Sequence, residues 1–318
     1  MPVITTTDYR PPFPFTNGHV NTIFPSLFRQ QTLPPYRRER ITTPDDDFLD
    51  IDHLHNGNKS LAILCHGLEG SSASQYIQGT ALALHANDWD VTAMNYRSCS
   101  GEINRQIRMY HSGATSDLHL IIQYLEKAYE RIALVGFSLG GNLVLKYLGD
   151  GIYPLNGKIE RAAAISVPVD LVGGSVEISK RKNIIYDRRF LKTLRKKILE
   201  KHQQFPDAIN ISDLNKVKTI RDYDDYFTGP IHGFKDAADY YEKCNSKQFL
   251  TAIKIPTLLL QALDDPFLPD SCYPIKETEL NKQLTLMLSK YGGHVGFSLP
   301  GKSHYWEELK ILEYLSNR

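Results

Sequence analysis

Residues 132–141 have the sequence Ile-Ala-Leu-Val-Gly-Phe-Ser-Leu-Gly-Gly, and this stretch decides the fold. Its first four residues form an apolar run typical of a buried parallel strand, and Asn142–Tyr147, which follows, suits a helix. A Gly-x-Ser-x-Gly motif is weak by itself, but a strand before it and a helix after it make it specific. We therefore expect Ser138 to stand on a tight turn at the end of a strand, where a serine can act as a nucleophile.

Short apolar runs and helical stretches alternate on both sides of this turn. The predicted strands are Leu61–Cys65, Val91–Asn95, Ile132–Val135, Ala162–Val167, Thr257–Ala262 and Leu284–Leu288. The predicted helices are Gln75–His85, Asp117–Ala128, Gly141–Leu148 and Tyr305–Leu315. Because strands and helices alternate, the sequence predicts the α/β class, with a mostly parallel twisted sheet and helices on both faces.

The alternation breaks in one long segment, between about Val172 and Ala252. This segment is helical and highly charged, and it contains no convincing strand. We therefore expect a single domain over residues 1–318, with a helical cap insertion over residues 172–252 above one end of the sheet. Residues 1–55 are rich in proline, and we expect them to be irregular apart from one hairpin near Pro44–Phe48.

An acid and a base follow two later strands, in the order serine, acid, histidine that this kind of site uses. Asp264 and Asp265 come directly after the run that begins at Thr257, and His294 follows the next strand through two glycines. Alone, each would be an ordinary turn or loop residue. Because parallel strands end at the same edge of a sheet, their joint placement predicts a Ser-Asp-His triad. The spacing leaves the choice between Asp264 and Asp265 open.

Two backbone amides are expected to bind the negatively charged oxygen that forms during attack on a carbonyl. One belongs to Leu139, directly after the nucleophile. The other is assigned to Leu68, in the glycine-rich loop that follows the strand Leu61–Cys65. His66, in the same loop, is expected to hold the loop through its ring and not to serve as a second base.

Composition excludes several classes of function. The chain has 318 residues and a formal net charge of +1, so no overall field favours nucleic acid. The four cysteines form no CxxC pair, which disfavours both metal sites and disulfides, and no cofactor is implied. We find neither a signal-peptide pattern nor an apolar run near the ~18 residues that suggest a membrane span. The sequence thus favours a soluble cytoplasmic protein acting on a small-molecule ester.

One segment of the predicted cap, Lys180–His202, is strongly basic, with ten Lys or Arg residues against two acidic ones. Phe190, Leu191, Leu194 and Ile198 give it one apolar face. The simpler interpretation is a solvated helix whose apolar stripe packs on the core. The alternative is a surface that makes weak contact with anionic lipid.

Several motifs together extend the turn around Ser138 into a resemblance that covers nearly the whole chain. They are Asn17-Gly18-His19-Val20-Asn21-Thr22, His66-Gly67-Leu68-Glu69-Gly70-Ser71, Tyr96-Arg97-Ser98-Cys99-Ser100-Gly101-Glu102-Ile103-Asn104-Arg105, Tyr110-His111-Ser112-Gly113, Gly136-Phe137-Ser138-Leu139-Gly140-Gly141-Asn142, Ile231-His232-Gly233-Phe234, Asp264-Asp265-Pro266-Phe267 and Gly292-Gly293-His294-Val295-Gly296-Phe297. With these motifs the chain resembles the YheT-like branch of the α/β-hydrolases, which is related to eukaryotic α/β-hydrolase-domain lipases. The resemblance implies an α/β-hydrolase fold, hydrolysis of carboxylic esters, and a triad of Ser138, Asp265 and His294.

Other functions remain open at this stage. The same triad would serve a thioesterase or an amidase, because each transfers an acyl group. A non-catalytic binding module could also have kept the fold, although the presence of all three triad residues argues against it. Dehalogenase and epoxide hydrolase chemistry is disfavoured, because those enzymes need a carboxylate where Ser138 stands.

Overall fold

One sheet runs through the centre of the molecule. In the computed structural model, which describes residues 3–155 and 157–317, this sheet has nine strands. They are β1 (Val3–Thr6), β2 (Arg37–Thr42), β3 (Phe48–Leu54), β4 (Ser60–Cys65), β5 (Asp90–Met94), β6 (Arg131–Phe137), β7 (Ile159–Ile165), β8 (Thr257–Ala262) and β9 (Leu284–Ser289). Their order is β1-β9-β8-β7-β6-β4-β5-β3-β2, and every pair is parallel except β2 with β3 and β3 with β5. The predicted fold class, a mostly parallel α/β sheet, is confirmed.

Helices surround the sheet. They are α1 (Gly18–Phe28), α2 (Gln75–His85), α3 (Thr115–Leu125), α4 (Leu139–Gly149), α5 (Leu171–Ile178), α6 (Ile184–Gln204), α7 (Ile220–Tyr223), α8 (Gly229–Ile231), α9 (Ala237–Cys244), α10 (Ile275–Glu279) and α11 (Trp306–Ser316). Two apolar clusters flank the sheet, one built with α3 and α4 and the other with α2 and α11. Ile63 and Leu64 of β4 belong to different clusters, because successive side chains of a strand point to opposite faces.

The chain between β7 and β8 contains helices α5 to α9, in a segment that we call the helical insertion (residues 171–252). Its longest helix, α6, buries Leu191, Leu194 and Ile198, which lie three and four residues apart on one face. These side chains form a separate apolar cluster with α7 and with the turn Ile211–Asn215. The insertion thus has its own small core, and its standing as a cap within a single domain stays a prediction.

The first part of the chain is more regular than the sequence suggested. The hairpin expected near Pro44–Phe48 joins β2 to β3. The expectation of irregular structure before it is wrong, because the structure places β1 and α1 there. β1 pairs in parallel with β9 at the edge of the sheet, and Asn17 caps α1 by accepting hydrogen bonds from the amides of His19 and Val20. The pairing with β9 and the Asn17 cap thus help to hold these two elements in place.

Candidate active site

Ser138 stands on a sharp turn between β6 and α4. Its backbone has φ 52° and ψ −118°, a strained conformation for a residue with a side chain. The turn is closed by glycines, since a Cβ on Gly136 would lie 2.3 Å from the Gly140 carbonyl oxygen. A Cβ on Gly140 would lie 2.3 Å from the Cys65 carbonyl oxygen at the end of β4. Only glycine fits either position, and the turn holds the Ser138 hydroxyl above the sheet.

The structure brings Ser138, His294 and Asp265 into one chain of hydrogen bonds. The His294 Nε2 atom lies 2.9 Å from Ser138 Oγ, and His294 Nδ1 lies 2.8 Å from Asp265 Oδ2. The Asp265 side chain is fully buried, and its other oxygen accepts a hydrogen bond from the Phe267 amide at 2.8 Å. An ionised Asp265 can only accept a hydrogen bond, so the proton of a neutral His294 ring must be on Nδ1. The Nε2 atom is then free to accept the proton of Ser138.

Asp264 has a different task from its neighbour. Its Oδ1 atom accepts a hydrogen bond from the Gly293 amide at 2.8 Å, so it holds the loop that carries His294. Its other oxygen is buried, and no described residue donates a hydrogen bond to it. Burial raises the pKa of Asp264 to about 6, and the nearby Asp265 adds to that shift. The two aspartates, which the spacing did not distinguish, thus differ in their contacts: Asp265 contacts the His294 ring and Asp264 contacts the backbone.

Helix α1 holds the His294 loop from the other side. Thr22 Oγ1 accepts a hydrogen bond from the His294 amide at 2.8 Å, and Asn21 Oδ1 accepts one from the Ser298 amide at 2.9 Å. A Cβ on Gly18 would lie 2.0 Å from the Asp264 carbonyl oxygen, so the helix can approach this closely only with glycine there. The sequence analysis used the motif Asn17–Thr22 only for the family resemblance and gave its residues no role in the site.

The loop after β4 packs against the nucleophile. A Cβ on Gly67 would lie 3.2 Å from Ser138 Cβ. No described residue accepts a hydrogen bond from the Leu68 amide, and Leu139 is the first residue of α4, where amides have no partner within the helix. Leu68, Leu139 and Ser138 all border the same pocket. The geometry therefore leaves two amide donors free beside the serine.

His66 is buried below this loop. Its Nδ1 atom lies 2.7 Å from the Gly67 carbonyl oxygen, and its Nε2 accepts a hydrogen bond from the Tyr96 amide at 3.2 Å. Burial lowers the pKa of His66 to about 3, so the ring is neutral. Both ring nitrogens are occupied by the backbone, and the structural role expected for His66 is confirmed.

A pocket opens above Ser138, and the helical insertion forms much of its wall. Phe267 packs on the His294 ring, with ring centroids 4.3 Å apart. The apolar lining residues are Leu68, Met109, Leu139, Leu171, Ile178, Phe190, Leu194, Ile220 and Phe267. An apolar chain attached to a carbonyl at Ser138 would lose contact with water here.

Part of the pocket wall is polar, which the sequence did not indicate. Asp224 and Tyr223 of the insertion lie there, and the Tyr241 hydroxyl donates to Asp224 Oδ2 at 2.6 Å. Burial raises the pKa of Asp224 to about 6. Within residues 3–155 and 157–317, no group of three His, Cys, Asp or Glu side chains could hold a metal ion.

The basic segment of the insertion does not present a single charged face. Lys201 is fully buried and donates to the carbonyls of Asn104 and Gln106, and Lys197 is paired with Glu69 inside the molecule. Arg188, Arg189 and Lys192 are exposed, next to Ile185 with 71% of its surface in water. None of the helices in the described part of the chain combines the length and apolarity needed to cross a bilayer.

Comparisons with known proteins agree with this architecture. A sequence profile of the α/β hydrolase fold family matches residues 63–300. YheT of Escherichia coli is 35% identical over 99% of this chain and 98% of its own length, and its name assigns it provisionally to the esterases. Phospholipase ABHD3 of Bos taurus is 29% identical over 93% of this chain and 74% of its own.

More distant similarity extends to a yeast lipase and to solved structures. A monoacylglycerol lipase of Saccharomyces cerevisiae is 28% identical over 88% of this chain and 63% of its own. The solved structure of the Pyrococcus furiosus esterase Pf2001 superposes with a TM-score of 0.57 at 17% identity, over 90% of this chain and 97% of that one. That likeness concerns the fold.

Proposed function

This chain belongs to the α/β-hydrolase fold family, in the branch of YheT, and is a carboxylic ester hydrolase; from that premise we propose that it cleaves acyl esters with Ser138 as nucleophile. His294 would act as the base and Asp265 would hold its ring. The observation that carries the proposal is the continuous hydrogen-bonded chain from Ser138 through His294 to the buried Asp265. Ser138 and His294 border a largely apolar pocket, whose wall includes residues of helices α5, α6, α7 and α9.

In the first half-reaction, His294 Nε2 takes the proton of Ser138 as Oγ attacks the ester carbonyl. The proton on Nδ1 stays with the ring, and the Asp265 carboxylate stabilises the imidazolium that forms. The negative oxygen of the tetrahedral intermediate would accept hydrogen bonds from the amides of Leu68 and Leu139. The N-terminus of α4 adds a favourable dipole at the same point.

The first half-reaction ends when His294 gives its proton to the departing alcohol, which leaves an acyl-enzyme on Ser138. In the second half-reaction, water loses a proton to His294 and attacks the acyl carbonyl. The bond from the acyl carbon to Ser138 Oγ then breaks, His294 returns the proton to Oγ, and the carboxylic acid is released. The apolar pocket wall supports an acyl chain as the part of the substrate that is bound most extensively. Burial of each methylene contributes about 0.8 kcal/mol, so the pocket would favour chains that fill it.

A fluorophosphonate probe tests the assignment directly, because it forms a bond only with an activated serine. We expect labelling of the wild type and its loss in Ser138→Ala. Ser175→Ala is the matched control: this serine also lines the pocket, but its hydroxyl donates to the Val172 carbonyl oxygen and not to a histidine. Labelling that persists in a folded Ser138→Ala protein would refute the assignment. A panel of esters, thioesters and amides then separates an esterase from a thioesterase or an amidase.

Contact with anionic lipid is a separate proposal, supported by the exposed Arg188, Arg189 and Lys192 beside Ile185. Vesicles that contain phosphatidylserine should bind the protein at low salt and release it at physiological salt, because exposed charges are screened. Replacement of the three cations with Gln should abolish this binding. Equal binding to neutral phosphatidylcholine vesicles would contradict the proposal. A cytoplasmic location stays a prediction.

A further inference from the structure

An ion pair inside the molecule joins the helical insertion to the loop beside the nucleophile. Lys197 Nζ of α6 lies 2.6 Å from Glu69 Oε1, and the two side chains are only 16% and 5% exposed. Glu69 directly follows Leu68, and Lys197 lines the same pocket as Leu68 and Ser138. A buried pair of this kind is a demanding arrangement, since both charges must leave water. Its position next to the reacting serine suggests a role in the reaction.

The Glu69 carboxylate is tied to the backbone of its own loop. The Tyr110 hydroxyl donates to Glu69 Oε1 at 2.7 Å and accepts a hydrogen bond from the Glu69 amide at 2.9 Å. The Glu69 backbone has φ 54°, a left-handed conformation that costs free energy for a residue with a Cβ. A movement of the carboxylate would therefore be transmitted to the peptide units on either side of it, including the one that carries the Leu68 amide.

Lys197 has one anionic partner in this cluster. Its Nζ also lies 3.2 Å from Cys99 Sγ, but burial raises the pKa of the Cys99 thiol to about 11, so the sulfur is neutral at pH 7. The positive charge of Lys197 is thus balanced by Glu69. Conversely, without Lys197 a buried carboxylate would stand uncompensated in the loop that carries the Leu68 amide.

We propose that Lys197 is a positioning residue of the active site, which neutralises Glu69 and fixes the loop so that the Leu68 amide meets the oxyanion. The proposal rests on the proposed function, because it takes Ser138 as nucleophile and Leu68 as donor. It gives the insertion a second task besides forming the pocket wall. Helix α6 thus supports the loop that carries the Leu68 amide as well as the pocket wall.

The proposal predicts unequal losses of kcat when either partner of the ion pair is replaced, whereas a simple structural tether predicts equal losses. Lys197→Met leaves a negative charge beside the developing oxyanion, whereas Glu69→Gln leaves a positive one and keeps an oxygen for the Tyr110 hydroxyl. We expect Lys197→Met to lower kcat on the order of 10- to 100-fold, the scale of losing part of an oxyanion site. Glu69→Gln should lose clearly less, and the double variant should recover much of the single loss. A tether would make the two single variants equally poor.

The experiment uses p-nitrophenyl acetate, whose acyl group is too short to depend on the pocket. Values of kcat and KM, the rate of labelling by a fluorophosphonate, and Tm are measured for the wild type, both single variants and the double variant. Lys197→Arg tests whether a conservative cation restores kcat. Lys196→Met is the matched control, since the Lys196 side chain is 78% exposed on the same helix and should leave kcat unchanged.

The outcomes separate the inference from the function that it assumes. A lower kcat with little change in KM in Lys197→Met, together with recovery in the double variant, supports it. A labelled, active wild type with equal losses in both single variants, or with a double variant as poor as Lys197→Met, overturns it alone. A wild type that neither reacts with the probe nor hydrolyses the ester overturns the proposed function as well. If Lys197→Met does not fold, a Glu69→Gln variant that loses 100-fold or more overturns the inference.

Discussion

Thr22 Oγ1 accepts a hydrogen bond of 2.8 Å from the backbone amide of His294, so the first helix of the chain supports the proposed base. Thr22→Val keeps the shape of the side chain but leaves that amide without its acceptor, which costs about 1–3 kcal/mol for a buried group. We expect kcat/KM to fall on the order of 10-fold, because His294 would no longer be held towards Ser138. Thr22→Ser, which keeps the hydroxyl, should stay close to the wild type. An unchanged rate in Thr22→Val would show that α1 does not position the histidine.

The two adjacent aspartates should respond differently to the same substitution. Asp265→Asn removes the carboxylate that orients the His294 ring, and we expect a loss on the order of 10³-fold or more in kcat. Asp264→Asn keeps a carbonyl oxygen for the Gly293 amide, so its loss should stay below about tenfold. Steady-state rates with one short ester are sufficient for the comparison. The reverse order would mean that the acid has been assigned to the wrong residue.

Asp264 also gives a prediction about pH and stability. Its pKa rises from an ordinary 3.8 to about 6 in the folded protein, chiefly because of burial. The folded state therefore binds this proton more tightly than the unfolded state. The contribution of Asp264 to the free energy of unfolding is most favourable below about pH 4 and is lost as the pH rises through about 6. Asp264→Asn should raise Tm relative to the wild type at pH 8, and this gain should disappear near pH 4. Thermal unfolding at several pH values measures it.

Asp207→Asn is the matched control for that experiment, because Asp207 is exposed to solvent. Its difference in Tm from the wild type should be small and should not follow the same pH course. A pH-independent difference for Asp264→Asn would indicate that the substitution acts through packing and not through charge.

The length of the preferred acyl chain should depend on the wall supplied by α6. In the wild type we expect kcat/KM to rise roughly fourfold per methylene along short p-nitrophenyl esters and then to level off when the pocket is full. Phe190→Ala should move the plateau to longer chains, since it removes a large side chain from the lining. Ile185→Ala, on the exposed side of the same helix, should leave the profile unchanged. A profile that is flat in the wild type would exclude an acyl pocket at this position.

The sequence predicted the sheet well because its central strands carry their own signal. The runs that became β4 and β8 are mostly apolar, as expected of strands that are covered on both faces, and both lie within a residue of their expected bounds. The turn at Ser138 was likewise predictable, since only glycines tolerate its close contacts. Local signals of this kind can be interpreted without knowledge of the rest of the fold.

Features that depend on a distant partner were not predictable in the same way. β1 has four residues and is held by its pairing with β9. Asp264 holds the His294 loop only because the fold brings the Gly293 amide within hydrogen-bonding distance. Lys197 belongs to a run of basic residues that indicated a solvated face, yet it points inward because Glu69 lies there. No helical period distinguishes a lysine with a buried partner from one in water.

The hydrogen bond between Thr22 and His294 spans 272 residues, which has a consequence for the order of events during synthesis. A growing chain that has left the ribosome as far as α4 already contains Ser138, but the proposed acid and base, Asp265 and His294, are added only when the last strands have been translated. The proposed nucleophile would therefore lack its base until the chain beyond β9 has been made. Truncated products would carry a serine that cannot attack the cell's esters, and hydrolytic activity would appear only when the two ends of the chain meet.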